Sequence, residues 1–489
     1  MSVCRAWWMI SIEGSSLWED VHIIHKMPLS FLGLSLDRAG GRRLTIHFKS
    51  CDYLRSGARR EAYLRAIQPI ADRIRSFTVH VTSPNLQWER SHLLDLFTIT
   101  YLNLESLDLS YNAFYVLSRW HDPDQPSYRP GINGATESVI LQIINFMPSG
   151  RLKHLTLRHT KGWPPTRFGN LTDITLFGYA DGTALAEAVP ANPALQKLKL
   201  ESIKHKERYS YDPKHLINLD GQTLELARCE PDVLSMFALS STCSLIITRT
   251  MDQRTIARKG EAPEFQWLPS DISGIRCLHE LGEVHFSVTK IPGRWGWTAA
   301  EQKTVGYSTS NSTLGSGPRP SVTFTLTYHS GARTQGCEIP FEPKYLLPHP
   351  TPWEEVTRAS FDGFHNRFKI RCNTILKTLP NLHSLTLRRC DSGRLVRFIT
   401  PDELGGLESL RFEDELSGAD FGYTLSEMFE LRHVSAGLRL KELRIRTITS
   451  GDPSSIFTVE QMGKLKECVR RIEVTKAPSY KHAVMSEYN

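Results

Sequence analysis

At 489 residues the chain is long enough for about three domains or for one extended repeat array. A composition of 40% hydrophobic, 23% charged and 9% aromatic residues is that of an ordinary globular protein and excludes wholesale disorder or a fibrous structure. Lys and Arg outnumber Asp and Glu only 59 to 52, and no basic run reaches five residues, which argues against a nucleic-acid partner. The longest apolar stretch, Val139 to Phe146, is interrupted by Gln142 and Asn145 and falls far short of the ~20 residues a membrane span needs. The apolar run before Glu13 is also shorter than the roughly 7–15 residues of a secretory signal. The expectation is an intracellular protein, cytoplasmic or nuclear, with no membrane contact. Its nine cysteines are scattered and form no C-x-x-C pair, so they are expected to be reduced thiols rather than zinc ligands or redox pairs.

In chain order, Val3-Cys4-Arg5-Ala6-Trp7 leads to Ser15-Ser16-Leu17-Trp18 and on through Glu19-Asp20-Val21-His22-Ile23. Leu32 to Phe48 (LGLSLDRAGGRRLTIHF) then predicts a helix through Leu36, a stop at Gly40-Gly41, and a strand at Leu44-Thr45-Ile46. In these motifs residues 1–25 resemble the second half of an F-box. Residues 26–70 look like the connection from box to repeats in F-box/leucine-rich-repeat proteins of mushroom-forming fungi. The resemblance implies a Skp-type adaptor and a cullin ubiquitin ligase as partners, with Val3, Cys4, Trp7, Leu17 and Trp18 in the adaptor-binding set. The family's box opens with an L-P-x-E helix that should lie upstream of Val3. The box is therefore expected to be truncated at its N-terminus and to hold the adaptor weakly. A second reading has Trp7, Trp8, Ile10, Leu17 and Trp18 merely capping the open end of the repeat core.

The template Leu-x-x-Leu-x-Leu recurs at Leu104-Leu107-Leu109, Leu152-Leu155-Leu157, Leu195-Leu198-Leu200 and Leu382-Leu385-Leu387. Relaxing its last position adds Leu407-Leu410-Phe412 and Leu440-Leu443-Ile445. A looser pattern adds starts at Ile74, Leu171, Leu281 and Val469, but chance supplies about as many. Asn112 and Cys390 follow the Leu104 and Leu382 units at the ladder position of a leucine-rich repeat, and Pro193 and Pro380 open the Leu195 and Leu382 units. Each x-Leu-x-Leu-x stretch predicts a strand with its leucines on one face. Between strands, Glu137–Met147, Thr183–Val189 and Asp232–Leu239 predict short helices, with Pro148 and Pro190 ending the first two. Such units share one core only when stacked. The expected fold is an α/β leucine-rich-repeat solenoid of parallel strands backed by helices, an irregular horseshoe with the residual F-box segment at its start. One repeat block spans 70–285 and a second 359–480.

The pattern lapses between the blocks, over 286–358. Thr298 to Pro320 has the Ser/Thr/Gly composition of a loop or linker, Ser321 to His329 alternates as a strand, and Ser330-Gly331 looks like a hairpin turn. His121–Gly134 reads as a further loop. No phosphate-binding loop or nucleophile elbow occurs, and no cofactor or metal is expected. The nearest metal pairs, His22/His25 and His154/His159, lack a third ligand in register. Glu354-Glu355 and Glu413-Asp414-Glu415 look like solvated loop carboxylates, so no catalytic residue is expected and the chain is read as no enzyme. The x positions of stacked strands form ladders on the concave face. Arg158, Lys197, Lys199, Arg388, Arg411, Arg444 and Arg446 fall there, and such cations would suit an acidic or phosphorylated target protein. The other reading is an idle, solvated surface. The corresponding functional expectations are a ubiquitin-ligase substrate receptor, a repeat scaffold without ligase, or, remotely, an unrecognised enzyme.

Overall fold

The computed structural model describes residues 14–23, 27–49, 57–81, 99–111, 151–158, 168–178, 182–203, 216–252, 268–269, 271, 273–278, 283–291, 302–310, 321–329, 356–362, 376, 379–388, 404–415, 421–447 and 457–476. It is an α/β structure of mostly parallel strands with few helices, in two units, residues 1–238 and 239–489.

The first unit begins with a 3-10 turn over Ser15–Trp18 that runs into β1 (Asp20–Ile23). Helix α1 (Leu29–Arg38) ends just before Gly40, whose φ of +55° is left-handed backbone that glycine adopts without a Cβ clash. There follow β2 (Leu44–Lys49), α2 (Gly57–Ile67), β3 (Ile74–Val81), β4 (Ser106–Tyr111), β5 (His154–Arg158), β6 (Asp173–Phe177) and α3 (Gly182–Ala191). β7 (Lys197–Glu201), β8 (Ile217–Leu219), β9 (Thr223–Ala227) and β10 (Phe237–Leu239) complete the series. From β1 to β7 each strand pairs in parallel with the next in the chain, and β9 then pairs in parallel with β7. Parallel neighbours need a crossover between them, so the chain returns to the same end of the sheet before every strand.

The second unit holds β11 (Ser244–Asp252), β12 (Glu283–Ile291), β13 (Gln302–Ser310), β14 (Ser321–His329), β15 (Arg358–Asp362), β16 (Ser384–Arg388), β17 (Ser409–Glu415), β18 (Leu440–Thr447) and β19 (Val469–Lys476). Its order is β11-β14-β13-β12-β15-β16-β17-β18-β19, and only β13 runs antiparallel to its neighbours. Helix α4 (Phe421–Ala436) connects β17 to β18 and stops at Gly437, φ +65°. Helix α5 (Val459–Cys468) connects β18 to β19. It starts on a capping box in which Thr458 Oγ1 accepts from Gln461 N at 3.2 Å and Gln461 Oε1 accepts from Thr458 N at 2.8 Å.

Side-chain alternation puts the apolar ladder on one face. Leu107, Leu155, Ile174, Leu198 and Leu224 are consecutive in register in the first unit, as are Ala359, Leu385, Leu410 and Leu443 in the second. All nine are buried, and so are Leu109, Leu157, Leu200 and Leu387. The buried unit extends further upstream than the Leu template. The first Leu donates its amide to the carbonyl three residues back in Tyr101/Leu104, Asn192/Leu195, Leu379/Leu382 and Leu404/Leu407, and the upstream residue is buried each time. Asn192 is the polar member. Its Oδ1 accepts from Leu171 N at 3.2 Å and its Nδ2 donates to Ala188 O at 2.8 Å, so its burial leaves neither end of the amide unsatisfied.

The backbone repeats the same device at each step. Two successive amides at the start of a strand share one carbonyl of the preceding unit: Lys153 and His154 donate to Glu105 O, Thr172 and Asp173 to Lys153 O, and Gln196 and Lys197 to Thr172 O. The second unit repeats it, with His383 and Ser384 on Thr357 O, Glu408 and Ser409 on His383 O, and Lys441 and Glu442 on Glu408 O. At the other end of the strands, Gly178, Ser202 and Arg228 each leave β6, β7 and β9 with φ of 78°, 57° and 56°. Two of these are not glycine, a local strain of order 1 kcal/mol accepted at equivalent places.

The structure departs from the sequence reading at named segments. Asp232–Leu239 is not a helix but a 3-10 turn, Pro231–Met236, followed by β10. Six residues are too few to offset helix nucleation, and Phe237 favours extended backbone. Pro190 lies within α3, which runs one residue beyond it. Gln302–Ser310, inside the stretch read as linker, is strand β13, where Thr304, Val305 and Tyr307 supply β-propensity that the Ser/Thr/Gly composition masks. The loosely matched starts at Ile74, Leu171, Leu281 and Val469 each open or lie just before a strand, β3, β6, β12 and β19. Residues 137–147, 121–134, Ser330-Gly331, Asn112 and Cys390 lie outside the described residues. Cys229, Cys243, Cys277 and Cys468 are buried, and the Cys229 thiol donates to Leu200 O at 3.2 Å. Among the described residues no helix is long and apolar enough to cross a membrane.

Candidate functional site: the polar face of the parallel strands

With leucines on one face of each strand, the alternate residues fall on the other. In the first unit the central positions of neighbouring strands run His22, His47, Thr78, Asp108, Thr156, Thr175, Lys199 and Glu225. Arg158 lies 3.5 Å from Asp108, and its guanidinium carbon is 6.0 Å from the centre of the Phe177 ring. Arg228 stands 5.7 Å from the same ring and pairs with Glu201. Lys197 and Lys199 both reach Glu225 at 2.7 Å. Burial alone would raise the Glu225 carboxyl, but hydrogen bonds from the two ammonium groups and their charges hold it below the usual carboxylate range.

In the second unit Arg388, Arg411, Arg444 and Arg446 share one face, with Arg411 directly opposite Arg444. Arg388 Nε donates to Glu413 at 2.9 Å. Arg444 reaches Glu442 at 2.8 Å and Glu473 at 3.4 Å, while Arg411 meets Glu442 at 3.4 Å. Arg471 adds contacts of 3.8 Å to Glu442 and 3.7 Å to Glu473. Three guanidinium groups thus converge on Glu442. Burial would raise its carboxyl, yet the Arg444 hydrogen bond and the charges of Arg444, Arg411 and Arg471 keep it below the ordinary range. Arg446 is exposed and forms no ion pair among the described residues. Arg411 Nε and Arg444 Nε are buried and donate no hydrogen bond among the described residues.

All seven cations expected on the outward face are therefore placed there, and six are matched to carboxylates. Glu413 to Glu415, read from the sequence as loop carboxylates, belong to β17, and Glu225, Arg471 and Glu473 were missed. Strand β9 reads Thr-Leu-Glu-Leu-Ala after Gly221 and lacks the leading Leu of the template. Among its described side chains the face is a charge lattice with a surplus of arginine over β16–β19, five Arg (388, 411, 444, 446, 471) against three Glu (413, 442, 473).

At the N-terminal side, Val3, Cys4 and Trp7 lie outside the described residues. Leu17 and Trp18 are in the 3-10 turn. Leu17 is 59% exposed, and on α1 Phe31 and Leu34 are also exposed. Trp18 lies 6.3 Å from the Phe31 ring, with the Arg38 guanidinium 4.9 Å from its own ring centre. The outward positions of β1 and β2 bring Asp20, His22 and His47 together. His25 and His159, the other members of the sequence-derived pairs, lie outside the described residues, and His154 instead meets Asp173 at 2.9 Å.

Arg432 is the buried functional-looking group that the sequence did not flag. It is 1% exposed on α4, and burial pulls its guanidinium below the ordinary arginine range. Its three acceptors are main-chain carbonyls, Leu404 at 2.7 Å and Gly405 and Leu407 at 3.0 Å each. That is a structural clamp on the turn entering β17, with no substrate-facing geometry.

No protein-family model matches the chain, and no curated protein matches it.

Proposed function

We propose that the chain is a leucine-rich-repeat protein that serves as the substrate receptor of a Skp–cullin–F-box ubiquitin ligase. In this reading the polar face of its strands holds a target protein, and the N-terminal segment docks on the adaptor. The observation that carries the repeat reading is the stepwise recurrence of one buried Leu-x-Leu strand, one shared carbonyl and one parallel pairing per unit. Catalysis would belong to the partners. The target surface would be the charge lattice, where the arginine surplus of β16–β19 favours an acidic or phosphorylated segment. Leu17, Phe31 and Leu34 offer the adaptor an exposed apolar patch beside Trp18.

A purified Skp-type adaptor tests the ligase half. The chain is expected to retain it, weakly, and to lose it on Leu17→Asp with Phe31→Asp, two exposed positions whose change should leave the far-UV circular dichroism intact. Interface energy concentrates in such apolar anchors, so a drop of at least tenfold is expected. Equal retention by the double variant, or none by the wild type, would leave a repeat scaffold without ligase function.

A further inference from the structure

Nothing in the repeat reading uses Asp20, His22 and His47, and these three are the one group of potential metal ligands assembled among the described residues. His22 and His47 stand directly opposite each other on the parallel strands β1 and β2, and Asp20 is two residues before His22 on the same face. Both imidazoles direct Nε2 at one oxygen, Asp20 Oδ1, at 3.4 Å from His22 and 3.0 Å from His47. All three ligand atoms lie within 4.8 Å of one another. Two ligands at about 2.1 Å from a tetrahedral ion are about 3.4 Å apart, so both carboxylate-to-imidazole separations are already near coordination distance.

We propose that Asp20, His22 and His47 bind a divalent transition-metal ion of the zinc class, with water completing its coordination. Two imidazoles and one carboxylate are borderline ligands that favour Zn²⁺, Co²⁺, Ni²⁺ and Cu²⁺ over Mg²⁺ or Ca²⁺. The strand pairing fixes the Cβ positions. The imidazole rings, stacked at 4.5 Å and parallel to within 10°, must tilt toward each other so that both Nε2 lone pairs meet one ion. Their part-exposed positions leave room for that rotation. In the metal-free form both Nε2 atoms already lie within 3.4 Å of the Asp20 carboxylate, so the ligand atoms are close together before the ion arrives.

Titration with Co²⁺ as a spectroscopic probe, in competition with Zn²⁺, tests the site on the full chain. One ion should bind with a visible d–d band, Zn²⁺ should displace it, and a tenfold excess of Mg²⁺ should not. His47→Gln should weaken binding at least tenfold and Asp20→Asn should weaken it less, while Thr45→Ala, which faces Asp20 across the strand pair, should leave it unchanged. Broadening of the His22 and His47 ring protons by Co²⁺ in an NMR spectrum provides the readout should any variant fail to fold. The same affinity in wild type and His47→Gln, or Co²⁺ broadening confined to other histidines, would overturn the assignment.

Discussion

Replacing Arg432 with Ala is expected to destabilise the second unit by about 3–5 kcal/mol, read as a fall in the urea midpoint. The guanidinium is buried on α4 and donates to the carbonyls of Leu404, Gly405 and Leu407. Leu404 O also accepts from Leu407 N at 3.1 Å and keeps that partner. Of the other two, Leu407 O is buried and loses its bond at about 1–3 kcal/mol, whereas Gly405 is exposed and water can take the place of Arg432 there. The vacated volume adds a cavity contribution. Arg432→Met separates the two effects, since it refills most of the space and restores no hydrogen bond. It should recover less than half of the loss. A variant within 1 kcal/mol of wild type would show that the clamp contributes nothing beyond filling space.

The second large effect is expected at Leu198, which is fully buried between Ile174 and Leu224 in register. Leu198→Ala should lower stability by about 2–5 kcal/mol, the range for a well-packed leucine. Its neighbour Lys199 is the internal comparison, because alternation turns it to the polar face, where it pairs with Glu225 at 2.7 Å. Lys199→Ala should cost less than about 1 kcal/mol, as partly exposed ion pairs contribute little. Similar losses from the two substitutions would contradict the assignment of faces.

How far these features are legible in the sequence depends on whether they lie along the chain or across strands. Alternation is local, so Leu198 and Lys199 are assigned to opposite faces from the pentapeptide Lys197–Glu201 alone. The capping box at Thr458 and Gln461 is equally local and can be read as Thr-x-x-Gln at the start of an amphipathic helix. Strands β9, β11 and β15 are harder to see because Gly, Cys, Val or Ala occupy template positions, and register with neighbours supplies what the side chains do not. The pairing of Lys197 and Lys199 with Glu225 inherits that difficulty. His22 and His47 lie 25 positions apart, within the ~20–29-residue repeat period. A search for nearby pairs such as His22/His25 overlooks that residues one period apart stack on adjacent parallel strands. Arg432 gives no sequence signal at all, since its acceptors are backbone carbonyls 25 to 28 residues earlier.

The claim that the polar face of the strands holds a protein partner is tested most directly by Arg411→Glu combined with Arg446→Glu. Arg446 forms no ion pair among the described residues, and Arg444 and Arg471 still face Glu442 when Arg411 is replaced, so the new carboxylates, beside Glu442 and opposite Glu413, should cost no more than about 1 kcal/mol each. Quantitative affinity capture should then show the partner held by the wild type lost from this variant. Lys464→Glu, on α5 away from the strand face, should retain it. Retention by the double variant at the wild-type level, with both variants folded, would contradict the account and place the partner elsewhere on the chain.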